Sequence, residues 1–241
     1  MKKILFFFMS LPMLASAGTV TFSGSPLASI TISTGIPVVG AGGTYTYNQE
    51  TSCNANTFTN TCAFGGGNIT AHSLLIVGCV LGAPSGTMVV SDNKGNTYFP
   101  VQGSTQAVTS QVEGMFYTLN AIAGATSVTC LDSASGATYD QVSEVEYFTP
   151  SGGTYDTGSG TTGSSSAITC GTANTSVSNE FVAAFSLANS AATGQSGTLR
   201  LNYVNNAYVM EQDTTVGSPS SYGSTFTQTS GNFACQQAMF K

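Results

Sequence analysis

Polar and apolar residues alternate in Thr19-Val20-Thr21-Phe22, in Ser29-Ile30-Thr31-Ile32 and in Ser127-Val128-Thr129-Cys130. Successive side chains of a strand point to opposite faces, so this period of two predicts strands with one buried face. No segment keeps an apolar repeat of three to four residues, and the chain reads as all-β. Residues 74–80 and 181–187 are apolar on both faces, which predicts two central strands. Stretches rich in Gly and Ser fall between the predicted strands, notably 63–68 and 151–166, and the second is the better linker candidate.

The two halves of the chain echo each other. SLLIVGCVL at 73–81 stands beside NEFVAAFSL at 179–187, each follows a Thr-Cys pair (Thr61-Cys62, Thr169-Cys170), and each half closes on an aromatic strand, EVEYF at 144–148 and QAMF at 237–240. Neither half offers enough strands to cover both faces of a sheet, so the pattern predicts two interleaved antiparallel sheets packed as a sandwich.

LLIVGCVL, then V-x-D-x-x-G-N-x-Y within VVSDNKGNTY, then Ile122 to Thr129, Glu146-Tyr147 and the terminal FACQQAMFK carry a resemblance. Over residues 57–241 the chain resembles exported bacterial jelly-roll-like β-sandwich modules that occur in surface-associated proteins. The resemblance implies a two-sheet antiparallel sandwich and a surface location, and it transfers no catalytic residue. Phe233 stands where the class leads us to expect Trp, and six cysteines exceed its usual number.

Composition adds compartment. Met1-Lys2-Lys3, an apolar stretch to Leu14 and Ala15-Ser16-Ala17 read as a secretory signal peptide over residues 1–17. Residues 18–53 then form a strand-forming extension and 54–241 the sandwich domain. Removing Lys2 and Lys3 takes the formal charge from −6 to −8, which excludes nucleic acid as a partner and disfavours anionic membranes. No later apolar run is long enough to insert in a bilayer. Cys53, Cys62, Cys79, Cys130, Cys170 and Cys235 are even in number, and in an exported chain they predict disulfides, with Cys53–Cys62 the simplest pair.

Candidate chemistry is sparse. Asp92, Asn93 and Asn96 gather oxygens around Gly95, but Lys94 would put a cation in any calcium cage, so the reading is a hairpin turn with calcium as its alternative. Asp140, Glu144 and Glu146 fall on one strand face; a solvated surface, a calcium site and a glycosidase pair are the three readings. His72 is the sole histidine and enters a strand, where a structural role is expected over a catalytic one. Gly158 to Gly163 matches G-x-G-x-x-G by letter without the helix that phosphate binding needs. Tyr45 and Tyr47 share a face, and with Asn202, Tyr203 and Asn205 they are the candidates for glycan contact. These features point to a non-enzymatic adhesion or glycan-binding protein. A structural subunit that lends its N-terminal strand to a neighbour and a polysaccharide hydrolase are the other readings.

Overall fold

The computed structural model describes residues 20–21, 31–32, 42–103, 106–108, 110–150, 152–204 and 208–241. The predicted signal peptide and Asn205 lie outside the described residues. Residues 1–39 and 40–241 form separate units. In the first, β1 (Val20–Thr21) pairs antiparallel with β2 (Thr31–Ile32).

The second unit is built from sheets. β3 (Thr46–Ala55), β11 (Tyr139–Phe148), β5 (Ser73–Gly82), β9 (Gln111–Thr118) and β7 (Phe99–Pro100) lie side by side in that order, and β8 (Gln106–Val108) also pairs with β9. A second sheet runs β12 (Tyr155–Thr169), β19 (Thr225–Phe240), β14 (Glu180–Ala188), β17 (Tyr208–Val216) and β16 (Thr198–Val204), with β15 (Gly194–Gln195) on β19. A three-stranded sheet of β4 (Thr59–Ala63), β10 (Ser127–Asp132) and β6 (Met88–Asp92) covers the outer face of the first. β13 (Ala173–Asn174) pairs with β18 (Ser221–Tyr222). All these ladders are antiparallel, and the fold is an all-β sandwich.

The echo between the halves has a structural form. Each half builds one complete sheet in the same order: its first strand, its last strand, its apolar strand, then two more. The predicted interleaving is therefore corrected. It fails because β5 and β14 each find both neighbours within their own half, leaving the two sheets to close on each other face to face. Leu74, Ile76, Val80, Met115, Val145 and Tyr147 meet Phe181, Phe185, Leu187, Val209 and Phe240 in the core between them. Gly78 of β5 lies directly under the Phe185 ring, and any Cβ there would overlap it. On the other face of β5, Leu75, Val77 and Cys79 pack with Cys62, Val128 and Cys130 of the three-stranded sheet and with Phe64 just beyond β4.

Three disulfides staple these layers: Cys53–Cys62, Cys79–Cys130 and Cys170–Cys235. They fit an oxidising compartment.

Two boundaries move. β3 bonds along β11 from Thr46 onward, so residues 46–53 belong to the sandwich rather than to the extension. The Gly/Ser stretch at 151–166 is not a linker, since most of it is β12, the edge strand of the second sheet. Its glycines answer to packing: a Cβ on Gly163 would sit 2.8 Å from the Phe233 ring, and one on Gly158 would sit 2.8 Å from a Val101 methyl. That packing explains the letter match to G-x-G-x-x-G.

Candidate functional site

The chain's acids are mostly inside. Glu113, Asp132, Asp140, Glu144, Glu146, Glu180, Glu211 and Asp213 are buried, eight of its eleven carboxylates. Such groups remain ionised only where donors or cations surround them. The structure divides them on that basis.

Asp140, Glu144 and Glu146 do share a face of β11, but it packs against the three-stranded sheet, and each is 0% exposed. The solvated-surface reading is corrected, because the outer face of the first sheet is itself covered. Glu146 is fully engaged. It accepts from Asn48 Nδ2 at 2.7 Å, Gln49 Nε2 at 2.6 Å, the Thr70 amide at 2.8 Å and Ser73 Oγ at 2.6 Å. Two amides reach one carboxylate because β3 bulges at Asn48, so that Asn48 and Gln49 oppose Glu146 together. Neither carboxyl oxygen of Asp140 or of Glu144 has a hydrogen-bond partner. Burial raises Asp140 to about 8. Burial, then the charges of Glu146, Glu211 and Glu50, lift Glu144 well above the carboxylate range. Asp140, Glu144 and Glu146 meet no solvent, so a polymer cannot reach the proposed glycosidase pair.

The stretch Asp92 to Tyr98 is a turn. Asp92 Oδ1 accepts the Lys94 amide at 2.8 Å and the Asn96 amide at 3.2 Å, while Oδ2 accepts Asn96 Nδ2 at 2.6 Å and the Tyr98 hydroxyl at 3.0 Å. Burial pushes the Asp92 carboxyl up, but these bonds outweigh it and hold its pKa low. Gly95 supplies φ +78°. Asn96 Oδ1 accepts the Ile122 amide at 2.7 Å, and Asn93 Oδ1 the Thr126 amide at 2.9 Å. The two sequence motifs therefore clamp each other. Among the described residues no grouping of three or more His, Cys, Asp or Glu is placed to hold a metal ion. His72 is exposed in the turn before β5 with φ +65°.

A different cluster forms where edge strands β3 and β16 meet. β16 also bulges: Leu199 faces Gln212 and Leu201 faces Glu211, leaving Arg200 as the extra residue. The bulge sends Leu199 and Leu201 to different cores and turns Arg200 inward. Its guanidinium pairs with Asp213, with Nη2 to Oδ1 at 3.3 Å, and lies 4.3 Å over the Tyr47 ring. Tyr147 donates to Asp213 at 2.9 Å, Ser143 donates to Glu211, and Tyr47 donates to Glu50. Tyr203 donates to Asn54 at 3.2 Å across the two sheets. Burial raises Glu211 to about 8 and also lifts Glu50.

No known protein family, curated protein or solved structure matches the chain.

Of the expected glycan contacts, the structure brings Tyr47 and Tyr203 together at this edge. Tyr45 is elsewhere, stacked on Phe181 with ring centroids 4.6 Å apart, its hydroxyl aimed at the Lys241 carbonyl. Asn202 is exposed on the other face of β16, bonded to the Ala192 backbone. Arg200, Glu50 and Asn54 were not expected. Only Arg200 carried a signal, as one of few cations in the chain, set between two leucines. A cavity of about 520 Å³ elsewhere, between β5, β6 and β9, is lined by Leu81, Pro84, Met88 and Phe116 among others, with no titratable group.

Proposed function

We propose that this is an exported, non-catalytic binding protein whose β3/β16 edge contacts a neutral, polyhydroxylated ligand such as a surface glycan. The observation that carries this reading is the pair of facing bulges that bring Tyr47, Glu50, Asn54, Arg200 and Tyr203 to one half-buried rim. Tyrosine rings offer apolar faces to sugar C–H groups, and the amide, carboxylate and guanidinium edges beside them bond hydroxyls. Asp213 already neutralises Arg200, which favours an uncharged ligand over an anionic one. Export rests on the signal-like residues 1–17 together with the three disulfides. Binding is preferred to hydrolysis because Glu144 and Glu146 are wholly buried.

The test is a glycan array probed with the mature protein and with Tyr47→Ala and Tyr203→Ala. Binding by the wild type that both variants lose, with unchanged melting temperatures, supports the reading. An array blank for the wild type removes it.

A further inference from the structure

One end of the second sheet gathers an amine and two carboxyls. Phe181 of β14 pairs with Phe240 of β19, so the next residues out, Glu180 and Lys241, stand side by side where that ladder ends. On the other flank β12 bulges: Tyr155 opposes Phe240 and Thr157 opposes Met239, leaving Asp156 as the extra residue. The Lys241 backbone is fixed by bonds of 2.9 and 2.7 Å exchanged with Thr154. Its Nζ donates to Asp156 Oδ1 at 2.7 Å and to Ser176 Oγ at 3.3 Å. Glu180 is fully buried, and its Oε2 accepts the Ser176 and Val177 amides at 2.8 and 3.2 Å, whereas Oε1 meets no N–H or hydroxyl. A hydrogen bond joins the Glu180 and Asp156 carboxyls, and two carboxyls bond only when one keeps its proton. Burial raises Glu180 and makes it the protonated partner. Burial also pushes Asp156 up, but the bonds from Lys241, Ser176 and Glu180 outweigh it and hold its pKa low. The Gly42 amide bonds the Ser178 carbonyl at 2.7 Å, which lays the segment before β3 over the turn that carries Glu180.

We propose that this triad is the site of an intramolecular isopeptide bond between Lys241 Nζ and Asp156 Cγ, formed by the folded chain itself with Glu180 as proton relay. The Nζ–Cγ bond forms and the Cγ–Oδ1 bond breaks. An ammonium carries three protons and an amide nitrogen one, so the two that leave nitrogen depart with Oδ1 as water. The first crosses the Nζ–Oδ1 hydrogen bond directly. The second passes through Glu180, which gives its own proton to the departing oxygen and recovers one from nitrogen, ending as it began. Charge and atoms balance with no outside reagent: ammonium and carboxylate become a neutral amide and water. The fold supplies the proximity. A bond of 2.7 Å to Oδ1 holds the amine near the roughly 3–3.5 Å of a near-attack arrangement, and such placement is worth an effective concentration of roughly 10⁵ M or more. Shielding favours the neutral amide over the charged pair. An ordinary ion pair needs neither a second carboxyl nor its proton. The bond closes a ring across 85 residues and locks the end of β19 to β12. None of the three residues lies on β3 or β16, so this inference does not depend on the glycan edge.

The test is the intact mass of the mature protein, reduced and denatured, followed by tandem mass spectrometry of a protease digest. The wild type is expected to be one water lighter than its sequence, and its digest to contain a branched peptide joining residues 156 and 241. Lys241→Arg, which keeps the ion pair, and Asp156→Ala are expected to carry their full masses. Glu180→Gln, which keeps an acceptor for the Ser176 and Val177 amides, is expected to remain largely unreacted. A wild type of full mass, a loss of water that persists in Lys241→Arg, or a link that digestion places at other residues would each overturn the proposal. A Glu180→Gln variant that reacts as fully as the wild type would overturn the relay.

Discussion

Raising the pH should loosen this protein, against the usual behaviour of acidic domains. Asp140 and Glu211 are buried and their pKa values rise to about 8, while Glu113 and Glu144 are lifted well above the ordinary range by the same burial. A carboxyl whose pKa is higher in the folded than in the unfolded chain keeps its proton on folding. Its stabilising effect is complete below the unfolded value near 4 and is lost as pH rises toward the folded value. The slope is about 1.4 kcal/mol per pH unit for each group inside that window. Asp140 and Glu211 alone give about 5 kcal/mol between pH 5 and pH 7, the size of a small domain's whole stability. For a chain of this length that is a fall in melting temperature of roughly 10–20 °C. Asp92, whose pKa is lowered by its hydrogen-bond donors, acts in the opposite sense below pH 4. Stability should therefore peak near pH 4–5. Calorimetry of the oxidised mature protein from pH 3 to pH 8 checks this, and Glu144→Gln should flatten the alkaline slope. A melting temperature that is level or rises from pH 5 to pH 8 would refute the reasoning.

Asp92→Ala removes the acceptor for four donors and should cost about 2–3 kcal/mol in urea unfolding, while calcium and chelator leave the melting temperature of the wild type unchanged. Gly78→Ala should cost about 1–3 kcal/mol through the Phe185 ring, and a double-mutant cycle with Phe185→Leu should recover part of that loss. Replacing Cys79 and Cys130 by Ala opens a link across 51 residues and should cost about 4 kcal/mol, seen as a lower urea midpoint.

Much of the fold was legible locally. β5 and β14 appear as continuous apolar runs because a central strand is covered on both faces, and the turn at Asp92 could be read because Lys94 and Gly95 fit a hairpin better than a cage. The three-stranded sheet was not legible, and with it went the fate of Asp140, Glu144 and Glu146. Alternation shows that three acids share a face but not what lies over it. β12 was misread for a related reason. Gly and Ser usually mark flexible chain, yet here the small residues admit Phe233 and Val101 from elements distant in sequence. The bulges at Asn48 and Arg200 are mismatches between paired strands, a property of two segments together that neither one displays alone.

Chemical-shift mapping of the isotopically labelled mature protein, titrated with neutral oligosaccharides, tests the central claim most directly. The account predicts saturable shifts at Tyr47, Asn54, Arg200 and Tyr203, abolished by Tyr47→Ala. Saturable shifts centred on other residues, or none with any neutral oligosaccharide, would contradict it.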